Sequence, residues 1–118
     1  VVQVAGPTPS TGIYSIDNMD VAATPQTGIE QFGINLVANT APVSFGSNPD
    51  NGQFGYGSVM PDYATANKFR YVDGEIIAQS PKSSGVTNYT ISYIINVSPL
   101  TAGGQYNSNQ VLIVTGTY

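Results

Sequence analysis

The chain contains no His, no Cys and no Trp, and only 3 Lys plus Arg and 7 Asp plus Glu across 118 residues. Each absence excludes something. Without His or a thiol, proton transfer and nucleophilic chemistry near neutral pH would fall to scattered carboxylates, so the composition reads as that of a non-enzymatic, structural protein. Without Cys there are no disulfide staples of the kind small secreted domains often use, and stability must come from the sheet or from neighbours. No apolar run approaches the roughly 20 residues needed to cross a bilayer as a helix. A net charge of −4 repels phosphate backbones, which argues against nucleic acid as a partner.

What is present is turn-forming and strand-forming. The chain has 13 Gly, 8 Pro and 8 Tyr with abundant Val, Thr, Ser and Asn. β-Branched and aromatic residues suit a pleated surface, and Gly, Pro and Asn make corners. The expected fold is all-β, a single-domain antiparallel β-sandwich of Ig-like or jelly-roll-like plan, with a closed barrel as the alternative. At 8% charged residues, solubility rests on Asn, Gln, Ser, Thr and Gly, a surface that permits close packing of like subunits. The chain starts at Val1 rather than Met and holds only two Lys, which together suggest a processed, secreted protein of the cell surface.

Two parts are expected, an arm with its tether over residues 1–12 and a sandwich over 13–118. Val1 to Ala5 (VVQVA) is β-prone, with Val2 and Val4 on one side and Val1, Gln3 and Ala5 on the other. Gly6 to Gly12 holds two Pro and two Gly and cannot be helical. Fully extended, it would reach roughly 20 Å, enough to bridge to a neighbouring subunit. Such a strand either completes a neighbour's sheet, with Val1, Val2, Val4 and Ala5 as interface residues, or folds back as the first strand of its own sandwich.

Within the body, Glu30 to Asn39 alternates Phe32, Ile34, Leu36 and Ala38 against polar or small residues, the period of a strand. Thr40 to Asn67 lacks a period and reads as long loops. Asp73-Gly74, between two β-prone runs, predicts a hairpin that pairs Val72 with Glu75 and puts Phe69, Tyr71, Ile76 and Ala78 on one face, with Arg70 diagonal to Glu75. Asn88 to Ser98 is predicted as the longest strand. Gln105 to Tyr118 is apolar on both faces at its centre, the mark of a strand inside a sheet with both sides covered.

Candidate sites are few. Asp17 and Asp20, and Asp50 followed by Asn51-Gly52, are the oxygen-rich clusters open to a hard cation, but neither has EF-hand spacing and both read better as turns. Neither a metal nor a cofactor is expected. Phe54, Tyr56 and Tyr63 form a candidate glycan-binding or partner-binding patch, the alternative being that they fill the core beneath the long loop. Asn88-Tyr89-Thr90 and Asn96-Val97-Ser98 match the glycosylation acceptor pattern.

The run Thr27-Gly28-Ile29-Glu30-Gln31-Phe32-Gly33-Ile34-Asn35-Leu36-Val37-Ala38-Asn39-Thr40, with Ile91 to Ser98, Thr101 to Tyr106 and the ending Val114-Thr115-Gly116-Thr117-Tyr118, resembles uncharacterised secreted β-sandwich proteins of small-genome bacteria. That resemblance implies a surface or filament setting and carries over no functional residue. In plan the chain is also similar to pilin-like subunits that polymerise by donor strands, though without their usual disulfide. The function expected is a structural subunit of a homopolymer, with a monomeric adhesin or glycan-binding module as the alternative.

Overall fold

The computed structural model describes residues 1–116, and its named elements follow the turn-rich, strand-rich composition. In chain order they are β1 (Val2–Ala5), β2 (Ser10–Thr11), β3 (Tyr14–Ser15), β4 (Gln31–Asn35), β5 (Asp50–Asn51), β6 (Ser58–Val59), a single 3₁₀ turn (Pro61–Tyr63), β7 (Ile76–Gln79), β8 (Thr87–Asn88), β9 (Ser92–Asn96) and β10 (Val111–Val114). The pairings between these strands are antiparallel. One sheet has the order β10-β1-β7-β6, a second pairs β4 with β9, and two short ribbons join β2 to β3 and β5 to β8. Thr117 and Tyr118, which end the last predicted segment, lie outside the described residues.

The two larger sheets meet through one core. Val4, Ile77 and Ala78 from the first sheet pack with Phe32 and Ile34 from the second, and Ile16, Leu36, Tyr63 and Tyr71 fill between them. The fold is all-β, as the composition predicts. In β4 the alternation gives way to burial on both sides: Asn35 is fully buried opposite the apolar face, where its amide pairs reciprocally with that of Asn39. A buried amide is tolerated there because its donors and acceptors are met.

Asn88 to Ser98, predicted as the longest strand, is divided between β8 and β9, and β9 is no longer than β4. Two further predicted arrangements differ from the structure. The Asp73-Gly74 turn forms, with Gly74 at φ 85° and Glu75 N–H donating to the Val72 carbonyl at 3.1 Å, but its flanks do not pair as a hairpin. Arg70 bridges Ile34 of the second sheet, while β7 lies in the first between β1 and β6. The turn is a corner between layers, and each flank pairs with a different part of the fold. The faces shift accordingly, so Ile77 is fully buried and Ile76 is partly exposed. Arg70 still reaches Glu75 (Nε to Oε2, 3.2 Å), across the corner rather than across a ladder.

The segment from Gln105 is the second. It forms β10, but at the rim of its sheet rather than inside one. It pairs with β1 alone, and Val111, Leu112, Ile113 and Val114 are all exposed, at 54, 50, 42 and 75%. Among the described residues no strand lies along its outer side, so an apolar strand of interior character is left bare.

Candidate functional site

The arm is the feature from which a site can be built. β1 lies between β10 and β7, laddered along its whole length to β10 and over Val2 and Gln3 to β7. Val2, Gln3, Val4 and Ala5 face Val114, Ile113, Leu112 and Val111 on one side. On the other, Val2 and Gln3 face Ala78 and Ile76 across an irregular step in register. Val4 donates its N–H to the Glu75 carbonyl at 3.1 Å and accepts from Gly74 N–H at 2.8 Å. Val1 and Thr115 exchange both backbone bonds, at 2.9 and 3.0 Å.

Side chains sort by parity as strand geometry requires. Val4 is fully buried in the core and Val2 packs partly against it, while Gln3 turns outward and donates Nε2–H to the Gly74 carbonyl at 2.6 Å. Val1 and Ala5 are half-buried beside them. The structure therefore places Val1, Val2, Val4 and Ala5 in a groove of the chain's own body, the fold-back arrangement.

The tether beyond is pinned rather than loose. Gly6 N–H donates to Asp73 Oδ1 at 2.8 Å, and the Tyr71 hydroxyl donates to the Gly6 carbonyl at 2.6 Å. Gly6 has φ 131°, and a Cβ there would sit 2.3 Å from the Asn109 carbonyl oxygen, so only glycine fits. The Pro7 carbonyl accepts from Ser108 Oγ and Gln110 Nε2 at 2.7 and 2.9 Å. Ser10 and Asn107 exchange backbone bonds at 2.9 and 3.0 Å. The first point without such ties is the tip of the β2–β3 ribbon, where Gly12 has φ 57° and Ile13 is fully exposed. The pinning residues Tyr71, Asp73, Asn107, Ser108 and Gln110 had no signature in the sequence. Only Gly6, next to Pro7, marked the bend they enclose.

The aromatic patch is not assembled. Tyr63 is fully buried, its hydroxyl donating to Glu75 Oε2 at 3.1 Å, and burial together with the Glu75 charge pushes its pKa well above the ordinary tyrosine value. Phe54 is exposed and held at φ 58°, and Tyr56 is half exposed beneath the Lys82 ammonium, 3.9 Å from its ring centre. Of the three, Tyr63 fills the core beneath the loop, the alternative role named for it above.

The acids are dispersed too. Asp50 lies in β5 opposite Asn88, and the Asp20 carbonyl accepts from Arg70 Nη1. Asp17 stands near Glu30, whose Oε2 accepts its backbone N–H at 2.9 Å. The Glu30 carboxylate also accepts from the Tyr14 hydroxyl and from Thr101 Oγ1, and these donors, Tyr14 foremost, hold its pKa below the usual value. Partial desolvation, and then the Glu30 charge, push Asp17 the other way. Among the described residues no three metal-binding side chains converge, and no helix is long and apolar enough to cross a membrane. Both acceptor sequons lie in or next to sheet ribbons: Asn88 is exposed, whereas Asn96 donates Nδ2–H to Gln31 Oε1 at 3.2 Å and to the Gln26 carbonyl at 3.3 Å. Compared with protein-family models, curated proteins and solved structures, the chain matches none.

Proposed function

We propose that the protein is an extracellular structural subunit that polymerises by donating β1 to the same groove in a neighbouring copy. One observation carries this reading. β1 is an inner strand whose partners, β7 and β10, come from remote parts of the chain, and it joins the body through a two-residue tip, Gly12-Ile13, that is exposed among the described residues. A strand held by ladder bonds, two apolar side chains and one Gln3 side-chain bond can be supplied equally well by another molecule, because every contact it makes is reproduced in the exchanged state.

The exchanged unit is residues 1–11, so β1 and the pinned tether travel together and the β2–β3 ribbon opens at Gly12-Ile13. Each copy then gives one strand and receives one, and the contact is head-to-tail, which propagates a filament unless the rotation closes a ring. Backbone hydrogen bonds supply the affinity; Val4, with Val2 beside it, sets the register.

The test is removal and return of the arm. Deleting residues 1–11 should abolish filaments and leave an acceptor that binds a synthetic peptide of those residues one to one, read by sedimentation, electron microscopy and calorimetry. Filaments that persist in the deletion variant refute the reading.

A further inference from the structure

We propose that β10 is a self-pairing edge, on which a second copy of this chain lays its own β10 antiparallel about a twofold axis through Ile113. The ladder phase gives the geometry. Val1 and Thr115 exchange both backbone bonds, and hydrogen-bonded and non-bonded pairs alternate along an antiparallel ladder, so Ile113 and Val111 turn their polar groups toward β1. Val4, opposite Leu112, correspondingly spends its N–H and C=O on the β7 side. The N–H and C=O of Leu112 and Val114 therefore point outward from the sheet.

A twofold axis at Ile113 sets Leu112 against Val114 of the second copy and Val114 against its Leu112. Each is a reciprocal hydrogen-bonded pair, so all four outward groups of the strand are satisfied on both copies at once. An antiparallel twofold neighbour in this register also keeps the faces of the sheet aligned. The four-stranded sheet becomes eight-stranded with the two β10 strands at its centre, the interior position that a strand apolar on both faces calls for.

Charge argues that the occupant is a like copy. Every charged residue of the chain lies at or before Lys82, and residues 83–118 carry none. Two molecules of net charge −4 repel over most of their surfaces, and β10 belongs to the charge-free part. The edge also has none of the devices that normally prevent such pairing: Val111–Val114 holds no Lys, no Pro and no bulge. The charged groups near its two ends are of opposite sign, with Lys82 beside Val114 in a shared cavity and Asp73 bonded to Gly6 near Val111. An antiparallel neighbour brings unlike ends together. None of this depends on which copy supplies β1, since β10 keeps the same free side when the arm is exchanged. Self-pairing would therefore join two filaments side by side, or two monomers where no filament forms.

The axis makes the test specific. In the full chain, which has no other cysteine, Ile113→Cys places two thiols across a non-hydrogen-bonded pair, where Cα atoms stand about 4.5 Å apart, within disulfide reach. Under mild oxidation it should form covalent dimers at least tenfold faster than Ile13→Cys, which is far more exposed but lies off the axis. Ile113→Lys sets two ammonium groups opposite each other and should lower dimer association in sedimentation equilibrium by tenfold or more, while its circular dichroism and melting stay those of the parent because Ile113 is already partly exposed. Equal crosslinking rates for the two cysteine variants, or self-association unchanged by Ile113→Lys, would overturn the proposal.

Discussion

The burial of β1 makes a quantitative prediction about how the arm is held. Val4→Ala removes two methyl groups from a side chain with no exposure, at the centre of a ladder that fixes its backbone on both sides. At about 0.8 kcal/mol for each buried carbon, plus a cavity contribution because a doubly laddered strand cannot collapse inward, the expected cost is about 2–3 kcal/mol. Val2→Ala, at a half-buried position beside the same core, should cost about 1 kcal/mol. Gln3→Ala loses one exposed hydrogen bond, to the Gly74 carbonyl, and should cost about 0.5 kcal/mol. The three values should thus alternate along the strand, with the peak at Val4. Urea unfolding followed by tyrosine fluorescence measures them. With a slope of about 1–3 kcal/mol per molar, the Val4→Ala midpoint should fall by roughly 1–2 M with the slope unchanged. A flat profile across residues 2 to 4, or a cost under about 0.5 kcal/mol at Val4, would mean that the arm is not seated in the core.

Two further outcomes follow from the same geometry. Gly6→Ala meets both a φ of 131° and an approach of 2.3 Å to the Asn109 carbonyl, so it should cost about 3 kcal/mol or more and lower the melting temperature by roughly 10 °C, whereas Gly103→Ala, with open space around it, should change little. Tyr63 is pushed above its ordinary value of 10.0 by burial and by Glu75, so below pH 10 its contribution to stability is complete. As pH rises further the unfolded chain ionises while the folded one holds its proton, and stability is lost until the folded group titrates too. Stability measured against pH should decline above about 10, and Tyr63→Phe should make that decline shallower.

Period and composition made the all-β class legible, and the alternation around Phe32 and Ile34 located β4, because burial of one face leaves a direct mark on residue type. The Asp73-Gly74 turn was legible as a turn but not as a corner. Local chemistry fixes φ at Gly74, yet whether the flanks pair depends on competing partners, Ile34 for Arg70 and Val4 for the turn itself, more than thirty residues away in the chain. Likewise Val111–Val114 has the pattern of an interior strand, and no local signal says whether the covering strand belongs to the same molecule. The pinning of the tether by Tyr71, Asp73 and Gln110 is long-range in the same sense. Their side chains carry no local mark of these contacts, and their roles come only from the positions the fold gives them.

The bond between Val1 and Thr115 joins residues 114 positions apart. During synthesis, therefore, β1 is made well before β10, and about a hundred further residues must leave the ribosome before its second partner exists. Loop-closure entropy makes so distant a pairing slow. For that interval one flank of the strand is unclaimed, and the chain's own timetable, rather than any switch, sets how long a neighbour has to compete for it.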